Sequence, residues 1–186
     1  MRVFVAIDMS PDLKLALQSL IREVRRGASG VKWVEPGAMH LTLKFLGEVS
    51  EDGLPAIGDA LAGAAAGRSP FPIRLKGTGT FPPGWRKSAR VLWVGVPDGP
   101  RLLDLQSGLE SLLETAGFPR EDRPFHPHLT LGRVKSSDGL ERVLQALETR
   151  ATDDFGEMTV SRITLFQSVL KPSGPVYVPL REETLR

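Results

Sequence analysis

His40-Leu41-Thr42-Leu43 and His128-Leu129-Thr130-Leu131 are the same tetrapeptide, 88 residues apart, in a chain that has only three histidines. Side chains alternate across a β-strand. On a strand, His and Thr of each copy therefore share one face and the two leucines share the other. The leucine face belongs in a core, and the His/Thr face must meet solvent or a cleft. Two such faces across a groove would supply two imidazoles and two hydroxyls. Imidazole changes charge near neutral pH, so one ring can take a proton while the other gives one. Metal-independent in-line attack of water on a phosphodiester needs that pair. One ring deprotonates the water and the other protonates the leaving oxygen. The threonine hydroxyls can donate to the phosphoryl oxygens as charge builds there. A single histidine on a strand is more often structural; the repetition turns the reading towards function.

Other chemistries find less support. There is no cysteine, so disulfides, a thiolate nucleophile and a cysteine metal site are excluded. His126-Pro127-His128 places two histidines at i and i+2, a spacing that can chelate. Pro127 disfavours a regular central strand there, and no acid stands at a metal-ligand spacing. No metal and no cofactor are therefore expected, and His126 reads as a turn residue. Neither a GxSxG elbow nor a phosphate-binding GxxxxGK[ST] loop occurs. Gly77-x-Gly79 lacks the rest of a dinucleotide fingerprint. The net charge of +2 permits a phosphate-bearing partner without demanding one. No stretch is long enough to span a bilayer. The apolar run at the N-terminus is too short for a secretion signal. The expectation is a cytoplasmic protein with no membrane partner, and a monomer.

The elements that must hold the two motifs can be read from periodicity. Arg2 to Met9 reads as a strand. Ser10-Pro11-Asp12 starts a helix whose stripe is Leu13, Leu17, Leu20, Ile21 and Val24, stopped by Gly27 and Gly30. Val31–Val34 and His40–Val49 read as strands around a Glu35-Pro36-Gly37 turn. Ser50-Glu51-Asp52 opens a second helix bearing Leu54, Ile57 and Leu61. Phe71–Thr80 and Ala89–Val96 read as strands on either side of a Phe81–Lys87 loop. Asp98-Gly99-Pro100 starts a third helix with Leu102, Leu105, Leu109 and Leu112 inward. His128–Val134 reads as a strand, and Ser137-Asp138 caps a fourth helix carrying Leu140, Val143, Leu144 and Leu147. Thr159–Leu170 and Pro175–Pro179 read as the closing strands. Short turns between several strands favour an antiparallel α+β arrangement over a doubly wound parallel sheet.

The repeat extends past the tetrapeptides. His40–Leu54 and His128–Leu140 each run from a strand through a serine-bearing turn into Asp-Gly-Leu at a helix start. Helix capping alone can produce such a likeness, but it does not account for the histidines. The spacing suggests two pseudo-symmetric lobes within one domain spanning residues 1–186.

With these flanks the chain resembles the two-histidine phosphoesterase superfamily, and within it the bacterial and archaeal RNA 2′,3′-cyclic phosphodiesterases, also called 2′-5′ RNA ligases. The motifs are His40-Leu41-Thr42-Leu43 and His128-Leu129-Thr130-Leu131. Arg2–Ile7, Val31–Val34, Phe45-Leu46-Gly47, Arg90–Gly95, Phe125–Pro127, Gly132-Arg133 and the Ser168–Tyr177 region resemble the family's flanking segments. The resemblance implies a two-lobed α+β fold, each lobe an antiparallel sheet with flanking helices, around a central cleft. It implies metal-independent hydrolysis of an RNA or nucleoside 2′,3′-cyclic phosphate to the 2′-phosphomonoester. It makes His40 the proton donor and His128 the acceptor, an assignment that the two locally equivalent motifs do not themselves make.

Thr42 and Thr130 are expected at the phosphate. Arg133 would join them only if the strand ends or bulges near Gly132, because strict alternation puts it on the leucine face. By the same alternation Lys44 reads as an edge charge on the His40 face and Phe45 as core. Arg86, Lys87 and Arg90 around Trp85 could meet an RNA backbone. A nucleotide- or RNA-end-binding module with little turnover and reversible 2′-5′ ligation stand as alternatives to the hydrolase.

Overall fold

The computed structural model describes residues 1–97 and 99–186. Asp98, expected at the start of the third helix, lies outside the described residues. In chain order the elements are β1 (Arg2–Asp8), α1 (Pro11–Val24), β2 (Val31–Trp33), β3 (His40–Glu48), α2 (Leu54–Ala65), β4 (Phe71–Lys76), β5 (Thr78–Phe81), β6 (Val91–Gly95), α3 (Pro100–Thr115), β7 (His128–Val134), α4 (Leu140–Glu148), β8 (Asp154–Val160), β9 (Arg162–Lys171) and β10 (Gly174–Thr184). They form an α+β fold. One four-stranded sheet has the order β10-β9-β1-β3 and another has β2-β7-β6-β5; a two-stranded ladder joins β4 to β8. All of these pairings are antiparallel.

The first motif lies on β3 beside β1, and the second on β7 beside β6. In each lobe a helix follows the inner strand and another follows the motif strand. The helices form where periodicity places them. On α1 the Ser10 hydroxyl accepts from the Leu13 amide at 3.4 Å, Pro11 opens the first turn, and the predicted five-residue stripe is buried. Each such aliphatic side chain contributes roughly 1.5–3 kcal/mol on burial. No described helix is long and apolar enough to cross a membrane.

Four sequence expectations need correction. On α3 the stripe ends at Leu113, fully buried, while Leu112 is 37% exposed. Glu110 fills the inward position between Leu109 and Leu113, a polar interruption that masked the 3.6-residue period. On α4 the cap is Gly139 at φ 67°, without a side-chain bond. A Cβ there would lie 2.6 Å from the Ala28 Cα, so close packing demands glycine. Asp138 instead accepts from the Ser29 amide and hydroxyl.

The expected strand 71–80 breaks at Gly77, and 159–170 breaks at Ser161, because each segment changes partner. Gly77, at φ 75°, donates to the Asp153 carbonyl and accepts from the Gly95 amide. The β4–β8 ladder therefore runs on through β5 into one sheet and through β9 into the other. Finally, the last strand continues past Pro179 to Thr184. A register irregularity between Pro179 and Arg181 and an edge position let it carry prolines.

Candidate active site

Alternation orients both motifs as predicted. Leu41, Leu43, Leu129 and Leu131 are buried, while His40, Thr42, His128 and Thr130 are half-buried on the opposite face. The motif strands β3 and β7 touch each other, which brings the two half-sites together.

Then each strand bulges at the same place. On β3, Thr42 pairs with Ala6 but Lys44 pairs with Val5, leaving Leu43 over. On β7, Thr130 pairs with Trp93 but Gly132 pairs with Leu92, leaving Leu131 over. One extra residue reverses the parity of all that follows. Phe45 thereby joins the His40 face, opposite Phe4, and is 64% exposed. Arg133 joins the His128 face, opposite Val91, and is exposed. Strict alternation had put both on the leucine face; the bulge overturns that and meets the condition set for Arg133.

Lys44 is corrected in the opposite sense. It is 6% exposed, and its Nζ lies 2.5 Å from Glu110 Oε1 and donates to the Pro119 carbonyl at 2.7 Å. Glu110 also accepts from the Glu121 amide. The bulge turns this lysine into the protein, where β3 is tied to α3 and to the loop that leads to His126.

The two imidazoles are held alike. A ring nitrogen of His128 (Nδ1) lies 2.6 Å from the His126 carbonyl oxygen, and the His40 ring bonds the Ala38 carbonyl. Each anchor lies two residues upstream. Such a bond fixes the ring, and on His128 it leaves Nε2 free to face a substrate. His126 thus lies in the turn expected of it, and its carbonyl positions His128. Among the described residues no group of three or more His, Cys, Asp or Glu is placed to hold a metal.

Aromatic rings enclose both histidines. Phe4 lies 4.8 Å and Tyr177 5.0 Å from the His40 ring, with Phe166 beyond. Phe81 stands edge-on to His128 at 4.9 Å, with Trp93 and His126 behind. The Trp93 indole lies so close over Gly79 that a Cβ there would sit 2.1 Å from it. Burial pushes the His40 imidazole down from 6.5 to about 4, opposed by its Ala38 bond and by the nearby Asp8 carboxylate. Burial also lowers His128, and the positive charge of Arg133 adds to that. The same guanidinium acts on Tyr177 of the first lobe, so Arg133 stands between the half-sites. The enclosing rings were not singled out from the sequence, because β9 and β10 reach the first lobe only through long-range pairing.

An α+β chain that presents one His-x-Thr strand from each of two sheets has the architecture of a two-histidine phosphoesterase. Comparison with known proteins narrows this. A family model described as the 2′-5′ RNA ligase superfamily matches residues 11–171, and the chain belongs to that family. It is 40% identical over 182 residues to the RNA 2′,3′-cyclic phosphodiesterase of Archaeoglobus fulgidus, covering 97% of this chain and 98% of that one. It is 36% identical to the protein of the same name from Thermotoga maritima, covering 98% and 94%. Among crystal structures, the Thermus thermophilus protein TT0787 superposes with a TM-score of 0.83 at 34% identity, covering 100% and 98%. Escherichia coli LigT complexed with 3′-AMP superposes with a TM-score of 0.77 at 26% identity, covering 99% and 97%.

Proposed function

We propose that the protein opens 2′,3′-cyclic phosphates at RNA ends, leaving a 2′-phosphomonoester and a free 3′-hydroxyl. The observation that carries this reading is the pair of His-x-Thr faces, each ring tethered to a carbonyl two residues upstream, on strands that touch. It agrees with the names of the relatives at 34–40% identity.

His128 takes a proton from water as the water oxygen attacks phosphorus. The bond from phosphorus to O3′ breaks, and His40 protonates that oxygen. Thr42, Thr130 and Arg133 hold the non-bridging oxygens, whose charge grows in the transition state. The two imidazoles account for both proton transfers, each contributing about 10²–10⁴-fold. Phe45 offers an apolar face to the ribose or base. In the empty cleft burial keeps His40 neutral at pH 7; a bound phosphate anion, with Asp8, favours its charged form. Every one of these groups comes from one chain, so a monomer suffices. The cysteine-free composition suits a reducing cytoplasm.

Phosphorus NMR tests the reading. A 2′,3′-cyclic nucleotide incubated with the protein in EDTA should be converted to the 2′-phosphate. An unchanged cyclic resonance, or a 3′-phosphate product, refutes it.

A further inference from the structure

The bulge at Leu131 does more than deliver Arg133. On the neighbouring strand β2, Lys32 pairs directly with Arg133, so two cations stand opposite each other on the cleft face. Like charges directly opposite in a sheet destabilise it. Lys135 continues the row. It lies two residues beyond Arg133, in a segment still bonded to Gly30 through its amide, and at ~3.3 Å per strand residue it stands about 7 Å further from the histidine. All three side chains are exposed, and among the described residues none makes an ion pair. Elsewhere on the surface cations are neutralised: Arg74 by Asp154 and Glu157, Arg150 by Glu23 and Asp153, Arg162 by Glu182. A row of unneutralised charge leading from His128 past Thr130 and Arg133 suits a succession of anions, not one.

We propose that Lys32 and Lys135 bind the phosphodiesters upstream of the reacting nucleotide, so that the preferred ligand is an RNA chain entering along β7 and β2 and not a free mononucleotide. This rests on the proposed function, since the row is anchored at the phosphate that His40 and His128 would open. Arg133 takes the terminal phosphate. Lys32, across the strand from it, takes the linkage to the preceding nucleotide, and Lys135 the next. Both lysines meet the backbone, so they select length and not sequence.

Binding and turnover separate the two claims. The binding probe is a fluorescent five-nucleotide RNA ending in a 3′-phosphate, compared with 3′-AMP by competition. The unaltered protein should bind the oligonucleotide at least tenfold more tightly. In the Lys32→Gln, Lys135→Gln double variant that advantage should vanish. The slope of log affinity against log salt should fall by about 1.4, ~0.7 for each single-strand phosphate that is no longer neutralised. Hydrolysis of a 2′,3′-cyclic mononucleotide should be unchanged. The melting temperature should hold or rise, because the substitution removes like-charge repulsion. Equal affinity of the unaltered protein for oligonucleotide and mononucleotide overturns the proposal even if hydrolysis is intact. So does an oligonucleotide affinity that the double variant keeps. Failure of the unaltered protein to hydrolyse either ligand counts against the proposed function alone, since the binding arm stands without turnover.

Discussion

The two half-sites share a tetrapeptide, a bulge and a carbonyl tether, yet they present different chemistry to the cleft. After the first bulge comes Phe45; after the second comes Arg133. The first histidine is the more deeply enclosed, packed by Phe4 and Tyr177. The second keeps an exposed guanidinium beside it. Behind the first bulge a lysine is locked to Glu110, whereas Gly132 fills the matching place behind the second. The repeated residues are those that position and move protons. The divergent ones decide what else touches the substrate: an apolar surface on one side and positive charge on the other.

The sharpest way to break this comparison is to remove the rings. His40→Ala and His128→Ala should each lower kcat by about 10²–10⁴-fold, and the double variant by far less than the product of the two. One variant at the normal rate would end the idea of a paired site. Next in size is Lys44→Met, which strands Glu110 in the interior and should cost about 3–5 kcal/mol in urea unfolding. At the counterpart position a side chain is refused for another reason: a Cβ on Gly132 would meet the Val31 Cγ1 at 2.7 Å. The residues that follow the bulges come third. Arg133→Met should reduce kcat/KM about 10²-fold through kcat. Phe45→Ala should raise KM about tenfold and spare kcat, as removal of one stacking partner worth ~1–3 kcal/mol predicts. Identical kinetic signatures for these two would erase the proposed division of labour.

The smallest effect is on pH. Both imidazoles are pushed below 6.5, His40 to about 4. The active form carries one proton on the pair, and above both pKa values that form is replaced by the doubly neutral one. In the free protein kcat/KM should therefore peak below pH 6.5 and fall about tenfold per pH unit above it. His40→Asn should erase the limb near pH 4 and leave the other. A peak above pH 7 would contradict the enclosure of the rings.

Much of this was legible in the residue order, because it depends on local pattern. The faces of His40-Leu41-Thr42-Leu43 and the α1 stripe needed only period 2 and period 3.6. The bulges at Leu43 and Leu131 were not legible. No glycine or proline occupies either bulged position, and the extra residue exists only relative to β1 and β6. That single unseen feature displaced Phe45, Lys44 and Arg133 at once. The breaks at Gly77 and Ser161 were hidden for the same reason, as each marks a change of partner far away in the chain. Tyr177 became part of the first half-site only when β10 folded beside β9 at the edge of that sheet.

The matched bulges also bear on how such a site could change over generations. Residues 45 and 133 lie just past a point where the strand ceases to answer to the leucine face. Substitution there alters what the cleft offers a ligand while Leu41, Leu43, Leu129 and Leu131 pack as before. Each motif is thus a fixed proton-transfer unit with one adjacent position open to variation, and the same two positions are where directed evolution towards a new phosphoester would begin.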